Sequence, residues 1–224
     1  MGFKQKSLWL ASITVSMIIE AYQYGDVYEK WESPTPWSYS RFSDFLEHMP
    51  KNAVVVEVGV QEGEYAGYIL KKTNPTKLYL IDCWKYQDPN VYDDYHANVS
   101  DNEQEKCYQR TKKRFQNDSR VVILRQFSID AVKQFSDESL DWVYIDANHG
   151  YEAIKADLDL WWPKVKKGGV LSGHDYAVRP SFGVVQAVNE FLIKHNLYFF
   201  HLTKESHINE SHIYDSWAIR KPLN

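Results

Sequence analysis

From Val54 onward the chain alternates short β-branched runs with longer stretches of helical periodicity. Val54 to Val58 is an apolar run broken only by Glu57, followed by Gly59 to Gly63 and by a helix through Lys71. Lys77 to Ile81 predicts a second strand, ending at Asp82. Val121 to Leu124 predicts a third, Leu140 to Ile145 a fourth that ends at Asp146, and Gly169 to Ser172 a fifth that leads to His174 and Asp175. Helical spacing separates them, notably over Tyr151 to Trp162 and Phe182 to His195. Strands that are apolar on both faces and joined by helices belong to a doubly wound α/β domain with a mostly parallel sheet. Leu197 to Leu202 and Ser216 to Arg220 predict a closing antiparallel strand pair.

Some stretches break this rhythm. Trp84 to Glu105 has no clear periodicity and is rich in Asp, Asn and Tyr. An insertion at this point adjoins the ligand crevice. It reads either as a lid, with Tyr86, Tyr92 and Tyr95 closing over a ligand, or as a solvated surface loop. Gly25 to Ser40, with Pro34, Pro36 and Trp37, reads as a linker, and Ser40 to His48 predicts a short lead-in helix. Leu8 to Ile19 is apolar but too short to span a bilayer, is interrupted by Ser12, Thr14 and Ser16, and is closed by Glu20. A packed or peripheral helix is expected there rather than a targeting segment. Residues 1–50 are thus expected to be a helical extension and linker, and residues 51–224 the α/β domain.

At 224 residues the chain suits one domain with an extension. Hydrophobic residues at 44% and charged residues at 25% exclude a disordered or fibrous class. A formal charge of -4 supplies no basic field for phosphates, so nucleic acid is not an expected partner. Cys83 and Cys107 are too few for a disulfide framework or a Cys-rich zinc site. They read as reduced thiols, and with no integral membrane span expected, they point to a cytoplasmic protein. The sequons at Asn98, Asn117 and Asn209 are then chance matches. The 15% aromatic content serves packing or lines a small-molecule pocket with equal ease, and a homo-oligomer is left open.

The chemistry concentrates at the strand ends. Glycines between strand and helix let the backbone approach a ligand, and the helix that follows presents unpaired amides. Asp82, at the end of the next strand, sits where a carboxylate accepts both hydroxyls of a ribose. That spacing suits a nicotinamide enzyme equally. Two details favour S-adenosylmethionine (SAM): the glycines read G-x-x-x-G rather than G-x-G-x-x-G, and Glu57 inside the strand would repel a diphosphate but welcome a cationic ligand.

Glu57-x-Gly59-x-x-x-Gly63, Asp82 and the later strand ends resemble class I SAM-dependent methyltransferases over roughly residues 52–221. Tyr144 to Tyr151 (YIDANHGY) and Gly168 to Tyr176 (GGVLSGHDY) resemble the small catechol- and macrocin-type O-methyltransferases. The resemblance implies that Glu57, Gly59, Gly63, Asp82, Ser128 and Asp146 bind the cofactor, with Ser128 at its adenine end beside Phe127 or Ile129. It implies Asp146, His174 and Asp175 as ligands of Mg2+ or another divalent cation, although a histidine replaces the more usual carboxylate at 174. His149 maps to the base that accepts the proton of a hydroxyl, a step suited to imidazole. The expected activity is methyl transfer to a hydroxyl of a small acceptor, a sugar or sugar-bearing metabolite being favoured. Tyr176 and Arg179 are further candidates for acceptor contact.

Each assignment has a plainer counterpart. Gly59 to Gly63 can be an ordinary tight turn, Trp84, which directly after Asp82 could line the same pocket, a core residue, His149 a loop or helix-start cap, and His174 with Asp175 a hydrogen-bonded strand terminus. As a whole, the chain can still be a nicotinamide-dependent oxidoreductase or a SAM-binding module without activity.

Overall fold

The computed structural model describes residues 37–38, 40–204 and 214–224. The chain divides into two compact units, Met1–Pro34 and Thr35–Asn224, and the described residues all belong to the second. The helix expected over Leu8 to Ile19 lies outside them. In chain order the elements are β1 (Trp37–Ser38), α1 (Asp44–Glu47), β2 (Val54–Val58), α2 (Glu64–Thr73), β3 (Lys77–Asp82), α3 (Asp101–Phe115) and β4 (Val121–Arg125). They continue with α4 (Ser128–Ala131), β5 (Leu140–Ile145), α5 (Tyr151–Trp161), β6 (Val165–Tyr176), α6 (Val184–His195), β7 (Phe199–Thr203) and β8 (Asp215–Arg220).

The strands form one sheet in the order β1-β7-β8-β6-β5-β2-β3-β4. Pairing from β4 through β3, β2 and β5 to β6 is parallel. β8 runs antiparallel to both β6 and β7, which is the closing pair the sequence predicts. After β4 the chain returns across β2 to lay down β5 and β6 on its other side. This reversal opens a crevice at the carboxyl ends of β2 and β5, where open α/β sheets bind ligands. Val55, Val56, Leu78, Leu80, Trp142, Tyr144 and Val170 are fully buried along the strands. Buried indole nitrogens need a partner; Trp142 finds one in Ser172 Oγ at 2.7 Å.

Three features differ from the periodicity reading, each for a physical reason. β6 begins at Val165 rather than Gly169, because its first turn of sequence carries Lys166 and Lys167 and the register slips against β5 between Leu140 and Trp142. α3 begins inside the stretch read as irregular. Its buried stripe is Gln104, Cys107, Thr111 and Phe115, helically spaced but half polar, and Ser100 caps it by accepting from the Glu103 amide. β1 adds a two-residue parallel edge to β7, and its buried Ser38 lies against His201.

Candidate active site

Gly59 ends β2 with φ +85, a conformation that L side chains rarely adopt. A Cβ there would stand 1.9 Å from the carbonyl oxygen of Asp146, so the missing side chain lets β2 and β5 meet at the crevice. Asp82 clamps the same turn. Its Oδ2 accepts from the amides of Val60 and Gln61, both at 2.9 Å, and its Oδ1 accepts from the Trp84 amide at 2.8 Å. Trp84 closes the clamp from below, fully buried, with its indole N–H donating to the Gln61 carbonyl at 2.8 Å.

Around this turn lies a cavity of about 680 Å3, within the range of small-molecule sites. Among the residues expected from the sequence, Glu57, Gly59, Asp82, Ser128, Asp146, His149, His174 and Asp175 all line it. Gly63 does not. It stands at the start of α2 with φ +70, and a Cβ there would meet the Phe115 ring at 2.6 Å, so its bareness serves the packing of α2 on α3. Tyr176 turns away to donate to Asn189 at 2.9 Å, and Arg179 sits over the Tyr214 ring.

Charge is concentrated at the ends of β5 and β6. Asp175 has φ +58, a left-handed conformation for a non-glycine residue, where β6 slips against β8. Its Oδ2 lies 2.9 Å from His149 Nε2 and 3.3 Å from His174 Nδ1. His174 Nδ1 also stands 3.7 Å from Asp146 Oδ1, and His149 Nδ1 3.5 Å from Asp94 Oδ2. Burial opposes charge on His174, but Asp175 and Asp146 raise it to about 9 despite the nearby Arg41. Burial opposes charge on His149 too, and there the hydrogen bond and charge of Asp175 still raise it above the usual imidazole value. Those two rings in turn hold Asp175 well below the usual carboxylate range, against its burial. Glu57 is the opposite case. It is 2% exposed, its Oε2 accepts no hydrogen bond among the described residues, and burial together with Asp146 raises it well above the carboxylate range.

Of the described residues, Asp146, His149 and Asp175 each bring one ligand atom within 4.8 Å of the others, a donor set suited to a divalent ion. His174, expected in that role, instead has its Nδ1 against both carboxylates, and its Nε2 is buried without a hydrogen-bond partner among the described residues.

Three lining residues have no counterpart in the sequence-based expectation. Arg41 comes from the lead-in segment and donates to Asp146 Oδ2 at 3.0 Å, its guanidinium lying over the Phe42 and Tyr65 rings. A single arginine before a short helix carries no sequence signal. Asp94 comes from the irregular stretch after β3, which lines the cavity also with Val91 and Tyr92. This stretch is tied down by Asn98, which donates to the carbonyls of Gln87 and Tyr92 and accepts from the Gln87 amide. It is anchored across the crevice where Tyr92 reaches the Ala147 carbonyl and Asn148 reaches that of Val91. Tyr95 is 81% exposed and does not line the cavity.

Asp157 is the third, and it did leave a signal: it interrupts the buried stripe Ile154, Asp157, Leu158, Trp161 of α5. Ser128 Oγ donates to Asp157 Oδ1. Burial pushes this carboxyl up to about 6 against the pull of that hydrogen bond. Between the unfolded value of about 3.9 and this one, the folded chain binds more protons, so stability is lost as pH rises through the window. Asp157→Asn removes the titration. Its stability relative to the parent is expected to improve by on the order of 3 kcal/mol between about pH 4 and about pH 7. Chemical denaturation of both proteins at each pH checks this, and a difference that does not change with pH would contradict it.

Residues 56–176 match a family model described as a methyltransferase domain. The uncharacterized protein y4gI of Sinorhizobium fredii (strain NBRC 101917 / NGR234) is 26% identical over 153 residues, 65% of this chain but only 16% of that protein's length. Among solved structures, the O-methyltransferase NovP aligns with a TM-score of 0.52 at 18% identity, covering 76% of this chain and 72% of its own. SMU.1697c of Streptococcus mutans, solved in complex with SAH, aligns with a TM-score of 0.54 at 12% identity, covering 79% and 94%. These structural likenesses concern the fold. With more than half of the chain matched by the family model and the glycine turn, the Asp82 carboxylate at the end of β3 and the sheet order in place, the chain belongs to the methyltransferase domain family, with the fold of the class I SAM-dependent enzymes.

Proposed function

We propose that the chain transfers a methyl group from SAM to a hydroxyl of a small acceptor, with His149 as the base that takes the hydroxyl proton. The observation that carries this reading is the 2.9 Å contact between His149 Nε2 and Asp175 Oδ2 at the wall of the cavity. A carboxylate on one ring nitrogen orients the imidazole and stabilises its protonated form, as a general base requires. SAM supplies a methyl group already activated on a cationic sulfur, so the chain's task is placement.

The residues fit that cofactor. Glu57 offers a buried, unpartnered acceptor oxygen toward a cationic ligand. Gly59 keeps the crevice floor bare of side chain, and Asp82 stands at the neighbouring strand end on the ribose side. Phe42 and Tyr92 among the lining residues, together with the family resemblance, favour a sugar or sugar-bearing acceptor.

A second reading is favoured by the convergence of Asp146, His149 and Asp175. Here those three side chains hold a divalent cation, which would polarise the acceptor oxygen and take over the role of the base. The experiment is methyl transfer from isotopically labelled SAM to hydroxylated acceptors, with and without a chelator. Transfer that survives chelation supports His149 as base. Transfer that is lost on chelation and restored by Mg2+ or Mn2+ supports the cation reading. If no hydroxylated acceptor is labelled but an amine is, the hydroxyl assignment fails.

A further inference from the structure

The carboxylates at the ends of β5 and β6 already have partners from the chain itself. Asp146 meets Arg41 Nη1 at Oδ2, 3.0 Å away, and His174 Nδ1 at Oδ1, 3.7 Å away. Asp175 meets both His149 and His174 through Oδ2. Arg41 is held firmly in this place. Its side chain is only 20% exposed, its guanidinium lies 4.8 Å from the Phe42 ring centroid and 5.2 Å from that of Tyr65, and Nη1 also reaches the Tyr144 hydroxyl at 3.4 Å. Phe42 is packed in turn on Tyr65 and Tyr68 of α2. The arginine is thus built into the cavity wall, and it comes from the lead-in segment, outside the residues 56–176 that match the family model.

A divalent ion bound through oxygens is held by the number and charge of its ligands. Two features of this chain lower that charge at one place. An imidazole stands at position 174, where the enzymes it resembles more usually carry a carboxylate, and the Arg41 guanidinium neutralises Asp146. An ion seated among Asp146, His149 and Asp175 would face that fixed positive charge across a single carboxylate, and it would compete with both imidazoles for Asp175 Oδ2. Repulsion between like charges is strong at such range where water is partly shut out.

We propose that Arg41 is a positioning residue that serves as the resident cation of this cluster: it holds Asp146 in place and, by its fixed charge, keeps a divalent ion from binding tightly there, so that methyl transfer proceeds without one. The inference rests on the reading of this cavity as a methyl-transfer site and decides within it for His149 as the base, since the imidazole is then not spent on a metal.

The test is a titration with Mn2+ followed by electron paramagnetic resonance, which counts the free aquo ion and needs no turnover. The parent protein is expected to bind Mn2+ weakly, with a Kd on the order of 1 mM or above. Arg41→Met keeps a long side chain against the Tyr65 ring but removes the charge, and it is expected to tighten Mn2+ binding by about tenfold or more. Arg41→Lys, which keeps the charge, is expected to bind as weakly as the parent. Adding Asp175→Asn to Arg41→Met is expected to abolish the gain, which locates the ion. A purely structural arginine would lower the stability of the Arg41→Met variant and leave its Mn2+ affinity where it was, and that outcome overturns the proposal. So does a gain that survives Asp175→Asn. Micromolar binding of Mn2+ by the parent overturns it too, and that result needs no variant to fold. Titration of the same parent protein with S-adenosylhomocysteine reads the cofactor separately: if no heat appears there, it is the underlying SAM reading that fails, whatever Mn2+ does.

Discussion

Gly59→Ala is expected to destabilise the domain by about 4 kcal/mol and to abolish cofactor binding in whatever fraction remains folded. Two costs add. A Cβ at φ +85 is strained by its own backbone, and this one would lie 1.9 Å from the Asp146 oxygen and 2.4 Å from its carbonyl carbon. The neighbouring atoms are main chain rather than a flexible side chain, so there is little room to yield. β5 cannot simply retreat, because the Asp146 amide donates to the Val58 carbonyl at 2.7 Å and the strands are in register up to that point. Gly67→Ala provides the control. That glycine lies within α2, its nearest foreign atom to a new Cβ is Arg114 Nη1 at 3.9 Å, and removing a glycine from a helix interior is expected to add about 0.5–1 kcal/mol. Chemical denaturation of the pair separates the effects. Equal stabilities would mean that the turn carries no special constraint.

His149→Ala is expected to lower kcat by 10²–10⁴-fold, the usual scale for loss of a general base, while S-adenosylhomocysteine still binds. The ring touches Asp175 on one side and faces Asp94 on the other, and both carboxylates favour its protonated form. A base must be neutral to act, so activity in the parent protein is expected to rise with pH through a value above that of an ordinary imidazole. Steady-state kinetics across pH, paired with a binding titration of the variant, reads both effects. Unchanged kcat in a variant that binds cofactor normally would remove His149 from the chemistry. Loss of turnover together with loss of stimulation by added divalent ion would transfer it to the cation reading.

Much of the sheet was legible because β2, β3 and β5 are largely buried and carry short apolar runs, broken inside the strand only by Glu57 in β2 and Asp141 in β5. The site residues at their ends followed, since a carboxylate or glycine that terminates such a run has nowhere to go but the crevice edge. What periodicity missed has a common cause. α3 buries Gln104 and Thr111 through hydrogen bonds, so its inward stripe does not look apolar: Gln104 donates to the Ala97 carbonyl and Thr111 to that of Gln61. Arg41 and Asp94 reach the cavity from segments without periodicity, and only the folded chain brings them to Asp146 and His149. Gly63 illustrates the reverse limit. Its motif position suggested ligand contact, whereas a Cβ there would collide with Phe115 from the next helix, a contact that spacing cannot reveal.

The measurement that bears most directly on the account is calorimetric titration of the purified protein with S-adenosylhomocysteine, with NAD as the control. The account predicts saturable, one-to-one heat with the sulfur compound and none with NAD. Folded protein that gives no heat with S-adenosylhomocysteine, or that binds NAD instead, would contradict it.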